Sequence, residues 1–539
     1  MKNNKKRIIK SIIGFILICS LMLLAASALT GCGGKSGVAD DDTEIALATP
    51  ELTKYDVTDA TAFVFSDSGI EVTEGAYSGY KTDGTALSIT EGGTYVVSGS
   101  CANGSIVVKK NVTGVTLVLN GLTLSASATA PITCNKGSEV LIVAETDTVN
   151  NLADDEFNND DIYTDEEQYP DIENAVIKCK DGSNVTICGT GTINVTANGK
   201  NGVKGGYDLY EEDEDGNATE TLISEASLTV KEVTLNITAS VNDGLKSDKV
   251  LNILSGNITV SAADDGIKSD YVLNIGSEGY VGPTINVTES YEGIEAATLN
   301  IYTGNITVCA EDDGINAANS DLENYEYSYN QYGGYVHVDV TAGDGIDSNG
   351  TLNLYGGVLE IYSPSQGDGD PLDSDNGTYF SGATVLAVGH LGMQQGYNAT
   401  TPYVTFGSGG NPGAGQSTAV TAGSTVTVTD SDGNVLYSAT AVRDASYVLF
   451  ASPKLESGET YTLNCDGSAV ATATASTASA GGMGMGGNPP DGDNGNPPEP
   501  PDGGNGTPPD GGSGNPPEPP DGGSGNPPEP PASSESTGD

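Results

Sequence analysis

Tryptophan is absent from this 539-residue chain, histidine occurs only twice, and 21 bases stand against 74 acids. The two histidines, His337 and His390, are isolated in the sequence, so neither a Ser/His/Asp arrangement nor a histidine metal site can be assembled around them. No CxxC pair occurs among the eight cysteines, and zinc-site spacing is missing with it. The shortage of bases excludes a nucleic-acid partner, because a surface of this sign repels phosphate and attracts divalent cations. Long runs of helical periodicity are also lacking. What remains is 36% hydrophobic content, 73 glycines and 25 tyrosines, a balance that suits a glycine-punctuated β-protein.

Residues 1–31 carry five bases and no acid, with an apolar run from Ile12 to Leu24 followed by "LTGC". This pattern predicts a secretory signal, and the small residues before Cys32 resemble a bacterial lipobox in which that cysteine becomes the lipidated first residue. Without residues 1–31 the count is 16 bases against 74 acids, a net −58. Residues 32–56 read as a tether. Residues 479–539, with stretches such as "GNPPEPPDGGSGNPPEPP", cannot bury a core and read as an extended, disordered spacer.

Between the ends, short β-branched runs follow one another, among them "VTLVLNG", "TINVTA", "VLNILSGNITVSA" and "TLNLYGGVLEIYS", separated by Gly, Asn and Asp. Asn-x-Thr recurs at Asn236, Asn257 and Asn305, and reads as an outward Asn and Thr flanking an inward aliphatic. The stretches "NDGLKSDKVLNI" and "DDGIKSDYVLNI" lie 22 residues apart. Aligned on their aliphatic residue, they extend to nine anchors: Ile132, Ile177, Val203, Leu245, Ile267, Ile294, Ile315, Ile346 and Leu372. A unit of about 22 residues, stretched by insertions and without helices, predicts a parallel β-helix. A β-sandwich would not need the same tripeptide at the same phase of each unit.

In such a stack, equivalent positions lie one strand spacing apart, roughly 4.8 Å. Two residues before each of the last six anchors the column reads Asp243, Asp265, Glu292, Asp313, Asp344, Asp370. Unit charges at that spacing repel by roughly 3 kcal/mol at an effective dielectric near 20, so the column needs cations or protons. One residue after the anchor come Lys178, Lys204, Lys246 and Lys268, then Glu295, Asn316, Asp347 and Asp373. The upper coils therefore carry their own counter-ions. Around Glu292, Glu295, Asp312, Asp313, Asn316, Asp344, Asp347, Asp370 and Asp373 only oxygen ligands remain, as calcium requires, and with Asp243 and Asp265 above them these acids are the candidate metal ligands. The glycine preceding most anchors is expected to let the backbone turn tightly beside the ion. Cys134 and Cys179 share one phase of neighbouring coils and should bond or stack as buried thiols.

Two further acidic stretches, Ala153 to Glu173 and Glu211 to Glu220, read as mobile charged loops, with a calcium site as the rival. The insertion "LENYEYSYNQYGGY" brings Tyr325, Tyr327, Tyr329, Tyr332 and Tyr335 into one loop. Tyrosine's apolar face and polar tip suit stacking on a sugar, although the rings could equally pack on the coils. Residues 400–475 suggest a small antiparallel β unit.

The repeats "DGLKSD", "DGIKSD", "DGINAAN" and "GDGIDSNGTLNLYGG", with the lipobox and the Pro/Gly tail, resemble the clostridial secreted β-helix family of carbohydrate-binding domain-containing proteins, over about residues 57–389. The resemblance implies a right-handed parallel β-helix with bound calcium, similar in shape to calcium-dependent pectate lyases, that binds cellulose and acidic sugars. No lyase active site is matched. The expected organisation is a signal peptide (1–31), a tether (32–56), the β-helix (57–390), a small β unit or cap (391–478) and the tail (479–539). The expected protein is a polysaccharide-binding lipoprotein with structural calcium on the extracellular face of the cell membrane, its partner a plant cell-wall or other polysaccharide. Tyr325, Tyr327, Tyr329, Tyr332, Lys246 and Lys268 are its candidate sugar contacts. Two alternatives stand beside it: a lyase of uronic acid polymers using Lys204, Lys246 or Lys268 as base, and an adhesin with no dependence on sugar.

Overall fold

The computed structural model describes residues 46–165, 167–213, 217–365, 369–390, 397–407 and 420–478. The expected signal peptide, Cys32 and the tail fall outside them. By contacts the chain divides into Met1–Gly484 and Met485–Asp539, and the second unit lies wholly outside the described residues.

Every regular element among the described residues is a strand, and 34 strands belong to one sheet. Its pairings are mostly parallel and sort into three ladders visited in a fixed order. The first carries the anchors. Ile132 pairs with Ile177, and the register then runs through Val203, Leu245, Ile267, Ile294, Ile315 and Ile346 to a bridge at Leu372. It also extends upward, through Ile106 to Leu87. All these side chains are buried. Insertions of very different length, such as 154–174 and 318–327, leave the register untouched because each returns the chain to the next rung.

The second ladder includes Ser227–Val230, Val250–Ile253, Ser328–Gln331 and Thr351–Leu354. The third includes Thr234–Ala239, Asn257–Ala262, Thr284–Glu289, Asn305–Ala310 and Tyr335–Val340. Along both, alternate residues are buried, as period-two strands require. Ile237, Ile258 and Ile306 point inward while Asn236, Asn257 and Asn305 do not. One continuous apolar core runs from Phe63 to Ala451.

The recurring glycine before the anchor has a different reason from tight turning. Gly244, Gly266, Gly293 and Gly314 do not adopt positive φ; a Cβ at Gly293 would lie 2.2 Å from the Gly314 carbonyl oxygen and 2.2 Å from Val308 Cγ1. Successive coils simply approach too closely for a side chain there.

Residues 46–56 are docked and do not hang free. Ala48 bridges to Tyr280, the Thr53 hydroxyl donates to Glu232 (2.8 Å), and the Tyr55 hydroxyl to Glu145 (3.0 Å). At the other end, Tyr447–Ala451 pairs antiparallel with Thr384–Gly389 of the third ladder. A four-stranded antiparallel sheet, Thr425–Thr429, Val435–Thr440, Thr460–Cys465 and Ser468–Thr474, shares an apolar core with Tyr362, Leu386 and Val388, so this β unit covers the outer face of the last coils.

Candidate functional site

The acid column forms where the chain leaves the third ladder and enters the first. Its backbone continues the ladder: the N–H of Gly244, Gly266, Gly293, Gly314 and Gly345 donates to the carbonyl of Asp265, Glu292, Asp313, Asp344 and Asp370 respectively. Side chains add a second set of links. Asp265 N–H donates to the Asp243 carboxylate (3.3 Å), Asp344 N–H to Asp313 (2.6 Å), and Asp370 N–H to Asp344. The carboxylates of Asp243, Asp313 and Asp344 are thus fixed by the coil below them, and Asp243, Asp265 and Asp370 are buried.

In the upper coils lysines neutralise the column. Lys246 lies 3.3 Å from Asp243 and 3.8 Å from Asp270, Lys204 lies 3.4 Å from Asp248, and Lys268 bridges Asp265 (2.7 Å) and Glu295. Burial opposes the charge on Lys268, but the two carboxylates outweigh it and raise its pKa; the same balance raises Lys246. These lysines serve the ladder, and their charge is already committed to neighbours. As sugar contacts Lys246 and Lys268 are correspondingly weak, with side chains only 17% and 22% exposed.

Below Lys268 no lysine follows. Asp344, Asp347 and Asp373 each place a carboxylate oxygen within 4.8 Å of the others, as do Asp265, Glu292 and Glu295 higher in the column, beyond the Ile315 coil, and Asp243, Asp264 and Asp265 above that. Burial, with Asp313 and Asp373 adding repulsion, pushes Asp344 up to about 8 and Asp347 up to about 6. Burial followed by Glu295 and Asp313 takes Glu292 to about 7. Between these groups sits Asn316, whose Nδ2 donates to Glu292 (3.4 Å) and whose buried Oδ1 has no donor. Crowded carboxylates plus an orphaned amide oxygen form an all-oxygen donor set that fits calcium. Asp312 departs from the set, being engaged by the Tyr291 hydroxyl.

The acidic insertions are built differently from mobile loops. In the first, Asn158 donates to buried Asp154 (2.9 Å), which also accepts from Asn198 N–H (2.7 Å), and Phe157, Tyr163 and Tyr169 pack together. In the second, Leu209–Glu212 and Ala218–Ser224 form an antiparallel hairpin.

The tyrosine loop divides. Tyr329 is 0% exposed and pairs with Leu299 and Leu352 inside the second ladder, so it is a core residue and no sugar contact. Tyr327 spends its hydroxyl on the Asn319 and Leu322 carbonyls (2.6 and 2.7 Å) and so braces the loop within itself, whereas Tyr325 packs on Tyr271 and Tyr327 and fastens the loop to the coils. Tyr332 alone keeps an open ring, 46% exposed. It stacks between two tyrosines that the loop reading missed: Tyr302 (5.2 Å, 9° between planes) and Tyr355 (5.1 Å, 11°). The missed signal is the recurrence of Asn-x-Tyr in "TLNIYTG", "SYNQYGG" and "TLNLYGG". Cys134 and Cys179 sit in register as buried free thiols, and the Cys179 hydrogen bond together with burial raises the Cys134 pKa.

A family model described as carbohydrate-binding domain-containing protein matches residues 83–213 and 213–298. A relative of that description from Acetivibrio thermocellus is 30% identical over 195 residues, which make up 36% of this chain and 61% of the relative, so the match spans less than two thirds of its length. A solved polysaccharide lyase-like protein from C. thermocellum, as a gadolinium derivative, superposes with a TM-score of 0.34 at 21% identity, over 59% of this chain and 96% of the other. The family match takes in the lysine-paired coils and stops before Asp313.

Proposed function

We propose that this chain is a polysaccharide-binding protein of the cell surface: a right-handed parallel β-helix with structural calcium in its lower coils, lipid-anchored at Cys32, whose ligands are cellulose or acidic sugars such as polygalacturonate. The observation that carries the reading is the match of a carbohydrate-binding family model to residues 83–298, coils continuous in register with the lysine-free acid column. Asp313, Asn316, Asp344, Asp347 and Asp373 are the residues that would hold the ion. Bound there, calcium would neutralise the column and attract uronate carboxylates that a net −58 surface otherwise repels. Purified full-length chain incubated with polygalacturonate should be retained with calcium and released by chelator. Retention that ignores chelator removes calcium from the reading.

A second reading is favoured by Lys178. Burial, with Lys204 in the next coil, lowers its pKa to about 8, in the range where a lysine can act as a general base. On this reading the protein is a lyase, and Lys178 takes the place given to Lys204, Lys246 or Lys268. An unsaturated product from polygalacturonate that is lost in Lys178→Met would establish it; no product excludes it.

A further inference from the structure

The second ladder presents a face made of two columns. Tyr302, Tyr332 and Tyr355 follow the strands of three successive coils, each with its N–H bonded to the coil above: Tyr302 to Ile275, Tyr332 to Ile301 and Tyr355 to Gln331. Two residues earlier, and so on the same outward side, Asn300, Asn330 and Asn353 form a hydrogen-bonded amide row, with Nδ2 of each donating to Oδ1 of the one before (3.0 Å for Asn330 to Asn300, 2.9 Å for Asn353 to Asn330).

Centroid separations of 5.2 and 5.1 Å with nearly parallel planes describe offset stacking, which leaves part of each ring uncovered. Tyr332 is 46% and Tyr355 44% exposed. The strand segments beside them, residues 298–301, Ser328–Gln331 and Thr351–Leu354, contain no charged residue, in a chain with 74 acids and 21 bases. Upstream, residues 48–55 bond to Glu145, Glu232 and Gly279. Among the described residues, that cover ends at Gly279–Val281, one coil short of Tyr302.

We infer that the Tyr302–Tyr332–Tyr355 row and its asparagine row form a binding face for a neutral, extended, β-1,4-linked glycan lying along the stack axis, one sugar per coil. This rests on the polysaccharide-binding reading and names its site. Three features select the occupant. The aromatic pitch is close to the advance per sugar of an equatorially linked chain, whereas an α-linked chain curls away from a straight row. Apolar C–H faces of the sugar would meet the uncovered parts of the tyrosine rings while its hydroxyls reach the tyrosine hydroxyls and amide oxygens. Absence of charge removes any attraction for a polyanion or a polycation, so the face differs in ligand from the acid column. A second copy of this chain would meet the same uncharged rows but would find no complementary charge or bulk to set its register.

The test measures binding of the full-length chain to cello-oligosaccharides of increasing length by calorimetry, with α-1,4-glucan and polygalacturonate as comparison ligands, for wild type, Tyr332→Ala, Tyr332→Phe and Tyr355→Ala. Both tyrosines are half-exposed, so equal melting curves are expected and confirm folding. Wild-type affinity should climb with oligomer length up to three or four sugars and then level. Tyr332→Ala should weaken it roughly tenfold, which is about 1.4 kcal/mol, Tyr355→Ala by less, and Tyr332→Phe should keep most of it. α-1,4-Glucan should not bind. Cello-oligosaccharide binding that is unchanged in both alanine variants overturns this face and leaves the polysaccharide reading intact, as does binding confined to polygalacturonate. Failure of wild type to bind any of the three overturns the reading and the face with it. Concentration-dependent dimerisation abolished by Tyr332→Ala, without glycan binding, replaces the glycan by a second copy.

Discussion

Lys268 performs in the middle of the column the task proposed for calcium below it, and replacing it by methionine turns that equivalence into numbers. Its ammonium holds Asp265 at 2.7 Å and also Glu295, and the side chain is only 22% exposed. Without it, Asp265, Glu292 and Glu295 remain with oxygens within 4.8 Å of one another and no cation. One pair of unit charges at that distance repels by about 3 kcal/mol at an effective dielectric near 20. Proton uptake limits the total, so a loss of about 3 kcal/mol near pH 8 is expected, shrinking towards pH 5 as the carboxyls protonate. The vacated trio is then an all-oxygen site. Calcium at a hundredfold excess over its dissociation constant restores about 2.7 kcal/mol, nearly the whole loss. Urea unfolding of Lys268→Met in chelator and in calcium, with metal counted by mass spectrometry, should show a lowered midpoint, calcium rescue and one more bound ion than wild type. Wild-type stability in chelator, or a variant that gains no ion, would refute the charge-balance argument.

Three further outcomes follow from the same coils. In chelator, stability should fall as pH rises: Glu292, Asp344 and Asp347 have folded pKa values of about 7, 8 and 6, above their unfolded values near 4, so the folded state binds more protons between those limits, and the loss is complete only above about 8. With calcium that slope should flatten, and an identical slope in both conditions would count against an ion at these residues. Gly293→Ala should cost about 3 kcal/mol in urea unfolding, because its Cβ meets a backbone carbonyl that cannot step aside, whereas neutrality would mean the coils are looser than described. Cys134 and Cys179 should resist a thiol reagent until the chain unfolds, and fast labelling of either in native buffer would contradict their burial.

The nine anchors were legible because six of them sit two residues after an acid and six directly after a glycine, and the spacing of one coil on the next is fixed by physics. One rung must fall on another, and the small residue is forced by a carbonyl 2.2 to 2.7 Å from where a Cβ would be. The same logic made the lysine-to-acid change of the column readable, since register converts sequence position directly into neighbours. Tyr329 was not legible by loop composition. Five tyrosines in a polar insertion look alike until "SYNQ" is aligned on its asparagine with "TLNI", which puts Tyr329 on the inward leucine position. The docking of residues 46–56 escaped for a related reason: a lone Thr53 to Glu232 contact spans 179 residues and leaves no periodic trace. Asn158 and Asn159, which order the acidic insertion from inside, likewise resemble surface residues until their burial is seen.

The central claim, a calcium-supported polysaccharide binder, is tested most directly by retention of the full-length chain on a panel of immobilised neutral and acidic polysaccharides, each run with calcium and with chelator. The account predicts retention on polygalacturonate that chelator abolishes and retention on a β-1,4-glucan that chelator leaves largely in place. No retention on any polysaccharide in either condition would contradict it.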